Sequence, residues 1–162
     1  MRTYKLGLLA VLNLIFSTTL LQLFRIFDVV PNTALIIIVL LVIHFGFRDA
    51  LIFALFAGVL HDLFISLSLG PNVLIFCGIA LIVALIEDSL SKANYFGPGM
   101  LIMLSTIIYH GVYFVFMYFL RNNIGFGLLL YRIVPVELIY NVVLTLLIYG
   151  FTAKKFADVE VV

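Results

Sequence analysis

Two carboxylates stand among apolar residues in this chain. Asp62 lies within Gly58-Val-Leu-His-Asp62-Leu-Phe-Ile-Ser66-Leu-Ser-Leu-Gly70-Pro-Asn72, and Glu137 is followed at four-residue spacing by Asn141 and Thr145. A carboxylate inside a membrane is costly, so it is kept where it binds something, passes a proton or ties helices together. The three histidines, His44, His61 and His110, are the titratable groups that an ion or proton relay through Asp62 and Glu137 would use. The structural alternative has Asp62 capping the chain break from Ser66 to Asn72, and Glu137 pairing with Arg121 or Arg132. Reactive sets for catalysis are missing: no serine sits in a nucleophile elbow, no His-Glu-x-x-His occurs, and Glu87-Asp88 lies at a helix end beside Lys92. The histidines lack the paired spacing of a metal helix, and Cys77, the only cysteine, forms neither an internal disulfide nor a Cys-based zinc site. The residues read as a non-enzymatic protein without cofactor or metal.

The elements that must position these groups are apolar. With 162 residues, 65% hydrophobic, 10% charged and a mean hydropathy of +1.31, the chain fits neither a soluble nor a disordered class. A net charge of +1, with no Lys/Arg cluster and no phosphate loop, excludes a nucleic-acid surface. Residues 1–162 read as a single polytopic transmembrane domain, an all-α bundle in the lipid bilayer. The first apolar run continues past Leu20 without a small-x-small cleavage site, so it reads as a retained helix rather than a signal peptide.

A hydrocarbon core of about 30 Å needs roughly 20 helical residues. On that basis helices are expected over Lys5 to Phe24, Thr33 to Phe47, Asp49 to Leu67, Val73 to Ser89, Phe96 to Leu120 and Ile133 to Phe151. The apolar stretch from Thr33 to Leu60 would be roughly 40 Å long as one helix, too long for one span, so a hairpin with Arg48-Asp49 at its turn is expected. Six spans result, with five as the alternative. Arg2, Lys5, Arg48, Lys92, Lys154 and Lys155 then fall on one side and Arg25, Arg121 and Arg132 on the other, which predicts both termini in the cytoplasm.

Small and polar residues recur every four positions and so share a helix face. Ala50, Ala54 and Gly58 read as a helix-packing seam that Asp62, Ser66 and Gly70 continue; Ala80, Ala84 and Asp88 repeat the pattern, and Asn13 and Ser17 offer a shorter one. In the elbow, Gly70 is expected to take positive φ, Pro71 to stop the helix, and Asn72 to cap the next one. Pro31-Asn32 and Gly97-Pro98-Gly99 are similar punctuation, and Arg121 to Gly127 reads as an external loop.

Over most of its length the chain resembles the MreD family of the bacterial rod-shape system. The likeness rests on the length, on Pro31 leading into an apolar span, and on Gly58-x-x-x-Asp62-Leu-x-x-Ser66-x-x-x-Gly70-x-Asn72. His61 and Pro71 occupy variable positions of that pattern, and Glu137 belongs to no transferable motif. The resemblance implies a non-enzymatic scaffold of the cytoplasmic (inner) membrane. It would bind the single-span protein MreC and act with MreB filaments, the glycosyltransferase RodA and its transpeptidase partner in peptidoglycan synthesis. A competing class is the substrate-binding subunit of energy-coupling-factor vitamin transporters, in which a polar pocket around Asp62, Glu137 and Asn141 would hold a small ligand. Those subunits often carry Ala-x-x-x-Ala on the first helix, and here Ala10 has no matching alanine.

Overall fold

The computed structural model describes residues 2–66, 70–87, 96–119 and 133–157, with side chains described as far as residue 152. The described residues form six α-helices: α1 Thr3–Thr18, α2 Thr33–Phe45, α3 Phe47–Phe64, α4 Pro71–Glu87, α5 Phe96–Phe119 and α6 Val134–Ala157. A 3-10 turn, Leu21–Phe24, follows α1. There is no strand among the described residues; one isolated bridge joins Ile26 and Val29 across a tight turn in which Phe27 and Asp28 have φ of 52° and 65°.

Several helix ends differ from the sequence expectation, each for a local reason. α1 stops at Thr18 rather than reaching Phe24, because three successive hydroxyls, those of Ser17, Thr18 and Thr19, donate back to the carbonyls of Leu14 and Ile15. Such back-bonding competes with the helical ladder. The α2–α3 hairpin bends at Gly46 and not at Arg48-Asp49. Gly46 has φ 84° and ψ 173°, a region essentially reserved for glycine. Its N–H closes α2 on the Val42 carbonyl and its own carbonyl accepts from Ala50, so one residue serves both helices. Arg48 and Asp49 therefore lie in the first turn of α3, where the acid complements the helix dipole. Pro71 begins α4 instead of stopping α3, the N1 position where its missing N–H costs nothing. α6 runs on past Phe151 to Ala157. Asp88, Lys92, Arg121, Arg132 and the expected external loop lie outside the described residues.

α2 is the axis of the assembly, touching α1, α3, α4, α5 and α6. Ala34, Leu35, Ile36, Ile38, Val39, Leu41 and Val42 are buried on it. The C-terminal ends of α1 and α3 and the N-terminal ends of α2 and α6 line one cavity, and Asn72 at the start of α4 bonds Tyr109 of α5. Successive helices thus alternate in direction.

Polarity is distributed inside out. Asn13, Asp62, Asn72, Thr106, His110, Glu137, Asn141 and Thr145 are buried, while Leu8, Leu12, Leu55, Leu63, Leu74, Leu85, Ile107, Val115, Ile139 and Leu147 are exposed. Among the described residues, two helices, Phe96–Phe119 and Val134–Thr152, are long and apolar enough to cross a membrane, and α1, α2 and α4 are shorter apolar helices.

The Gly46 hinge yields a direct test. Gly46→Ala is expected to lower stability by about 1–3 kcal/mol through backbone strain alone, since a Cβ there meets no atom within 4 Å. Gly78→Ala, mid-helix and equally unobstructed, is expected to be neutral or to gain up to about 1 kcal/mol. Thermal unfolding of both variants in detergent micelles measures the difference; equal effects would remove the hinge argument.

Candidate functional site

The last turn of α3 delivers Asp62, and the chain then leaves the helix, with the N–H groups of Ile65 and Ser66 both donating to the His61 carbonyl at 2.9 Å. Gly70, at φ 110°, turns the backbone so that the start of α4 points at the Asp62 carboxylate. Oδ2 accepts the N–H of Gly70 at 3.0 Å and of Val73 at 3.2 Å; Oδ1 accepts the N–H of Asn72 at 3.1 Å and its side-chain amide at 2.9 Å. The first N–H groups of a helix have no partner inside it. Here Pro71 has none to satisfy, and those of Asn72 and Val73 go to Asp62. The cap of α4 is therefore borrowed from α3, and its negative charge sits on the positive end of the α4 dipole.

Asn72, expected as the cap, instead lies within the first turn of α4 and ties the elbow together. Its amide nitrogen donates to Asp62 Oδ1 and, at 2.6 Å, to Ser66 Oγ, and its oxygen accepts the Tyr109 hydroxyl at 2.9 Å. Every polar capacity of that side chain except one lone pair is then used. One turn before Asp62, a Cβ on Gly58 would lie 2.6 Å from Val73 Cα and 2.9 Å from Val73 N, closer than packed atoms come. Glycine is what lets the start of α4 press against α3. Ala50 and Ala54, further along the same stripe, are fully buried. Gly58, Asp62, Ser66, Gly70 and Asn72 meet in one joint.

A second cluster forms on α6. Glu137 Oε2 lies 3.0 Å from His110 Nε2, both side chains 9% exposed. Of its other proposed partners, Arg121 and Arg132 lie outside the described residues. One turn on, Asn141 Oδ1 accepts the N–H of Asn32 at 2.9 Å and its Nδ2 donates to Thr106 Oγ1 at 3.0 Å. Asn141 so pins α6 to the start of α2 and to α5. Asn32 in turn caps α2, its side chain accepting from Leu35 N–H at 3.3 Å. Asp62 and Glu137 do not meet; between them stand Asn72, Tyr109 and His110. His44 is elsewhere, bonded to the Leu40 carbonyl at 2.9 Å and packed on Tyr149.

Tyr109 was not among the residues that the sequence singles out. Its ring stacks between Phe76 and Tyr113, each centroid 5.7 Å away, and its hydroxyl joins the elbow to α5. The one hint in the sequence is a phenol in the middle of an apolar run, because a buried tyrosine hydroxyl needs a partner.

With four donors on two oxygens, Asp62 is saturated, and a saturated carboxylate holds its surroundings in place. No family model, curated protein or solved structure matches the chain.

Removing the acceptor tests this geometry. Asp62→Ala strands three backbone N–H groups and is expected to cost roughly 3 kcal/mol or more, against about 1 kcal/mol for Tyr109→Phe, which removes one hydrogen bond. Denaturant titration in mild detergent separates the two; an Asp62→Ala variant no weaker than Tyr109→Phe contradicts the capping role.

Proposed function

We propose that this chain is a multi-pass adaptor of the cytoplasmic membrane, crossing it six times, that works by presenting a rigid helical surface to partner proteins and performs no chemistry. Its most specific form is a scaffold of the bacterial cell-elongation machinery, similar to the MreD family. In that role it docks an MreC-like single-span protein and helps couple MreB filaments to RodA and its transpeptidase partner.

The observation that carries this reading is the convergence of Gly58, Asp62, Ser66, Gly70 and Asn72, the residues of the shared pattern, on the α3–α4 joint. Each has a mechanical task there: a close backbone approach, a cap, a tie or a positive φ. The apolar outer surface and polar interior support immersion in lipid, where backbone and side-chain polar groups must be satisfied internally. α2, at 13 residues, is only about 20 Å long, and its place at the centre of the bundle removes the need to match the bilayer. Ala10 is buried against the core, which favours the adaptor over a transporter subunit that docks through exposed small residues on its first helix.

Purification from native membranes tests the assignment. An MreC-like single-span protein is expected to copurify, whereas recovery of an ATPase module in its place contradicts the scaffold and favours transport. Gly58→Leu and Asp62→Ala are expected to lower recovery of that partner severalfold, and normal recovery by well-folded variants would remove the elbow from partner binding. Reporter fusions at both ends are expected to give cytoplasmic signals.

A further inference from the structure

A cavity of about 400 Å³ opens at the end of the bundle that carries the elbow, between the ends of α1, α2, α3 and α6 and the flank of α5. Its volume falls in the range of small-ligand sites. Three polar atoms on its lining residues are buried and have no hydrogen-bond partner among the described residues: Glu137 Oε1, His61 Nε2 and Thr33 Oγ1. Glu137 itself is only 7% exposed. A buried carboxylate oxygen without a donor is unfavourable, and neither His110, which already engages Oε2, nor the saturated Asp62 relieves it. The stacked rings of Tyr109 and Tyr113 form part of the wall, with an interplanar angle of 15°.

We propose that this cavity binds a primary ammonium group, with Glu137 as its counter-ion. An alkylammonium carries three N–H donors and no acceptor. Such a donor set suits the free Glu137 oxygen, with Thr33 Oγ1 and the His61 ring as further unpartnered polar groups on the lining residues. The charge-assisted bond to Glu137 supplies most of the selectivity. The same chemistry comes from two sources, a free small amine or the headgroup of phosphatidylethanolamine. The site is independent of the adaptor reading and goes beyond it.

The test uses the purified full chain in detergent micelles, titrated with ethylammonium, with tetramethylammonium and ethanol as comparators that lack N–H donors on a cation or lack charge. Ethylammonium is expected to raise the unfolding midpoint by several degrees at saturation, with no shift from either comparator. Glu137→Gln, which keeps the shape of the side chain, is expected to weaken the apparent affinity by roughly tenfold or more. The comparator series needs no variant, so it stands even if Glu137→Gln fails to fold. In nanodiscs, Glu137-dependent stabilisation by phosphatidylethanolamine over phosphatidylcholine assigns the headgroup; stabilisation by ethylammonium in phosphatidylcholine without a phosphatidylethanolamine effect assigns the free amine. Equal shifts from all three solutes, or no shift from ethylammonium together with no difference between the two lipids, overturn the proposal.

Discussion

The carboxylate of Asp62 is the constraint from which the arrangement of α3 and α4 follows. A helix that starts buried has first N–H groups with no partner inside the helix. α4 solves this with a proline at its first position and an acid borrowed from the neighbouring helix. The solution works only if α4 comes close to α3, and Gly58 permits that approach. Gly70 then sets the path of the chain, and Asn72 spreads the joint to Ser66 and to Tyr109 on α5. Charge, close packing and backbone conformation depend on one another here.

The same logic recurs at lower charge. Asn141 accepts the first N–H of the α2 entrance while Thr106 holds its amide, so a neutral residue on α6 fixes the central helix as Asp62 fixes α4. Both joints lie at the end of the bundle away from the N-terminus, and the cavity lined by Glu137 and His61 lies there too. That end is polar and held by cross-helix hydrogen bonds, in contrast with the apolar outer faces of the helices. The proposed adaptor role would need such a stiff frame, since a loosely packed bundle would absorb a displacement passed between partners.

Much of the fold was legible because hydrophobic runs and punctuation report helix existence well. Gly58, Asp62, Gly70 and Asn72 stood out because a carboxylate and glycines on a four-residue stripe have few roles in an apolar helix. Helix ends were less legible. The Gly46 hinge was hidden in an apolar run while the charged Arg48-Asp49 drew the turn to itself, and the hydroxyls that end α1 are common inside apolar helices. The sequence offers both Asn72 as the cap of α4 and Asp62 as a cap of the break after Ser66; the acceptor is Asp62, ten residues before Asn72, and choosing between the two is a tertiary matter that spacing alone does not encode. Tyr109 and the His110–Glu137 pair were missed as partners for the same reason: their meeting depends on how α5 and α6 pack, not on any local pattern.

Amide hydrogen exchange at Asn72 and Val73 addresses the central claim most directly. Neither N–H has an acceptor within α4, so their protection depends on Asp62 from α3. Exchange as slow as that of Ile79 in the buried middle of α4 is predicted for both. Exchange at the rate of an unbonded helix N-terminus would contradict the account and leave α3 and α4 joined by packing alone.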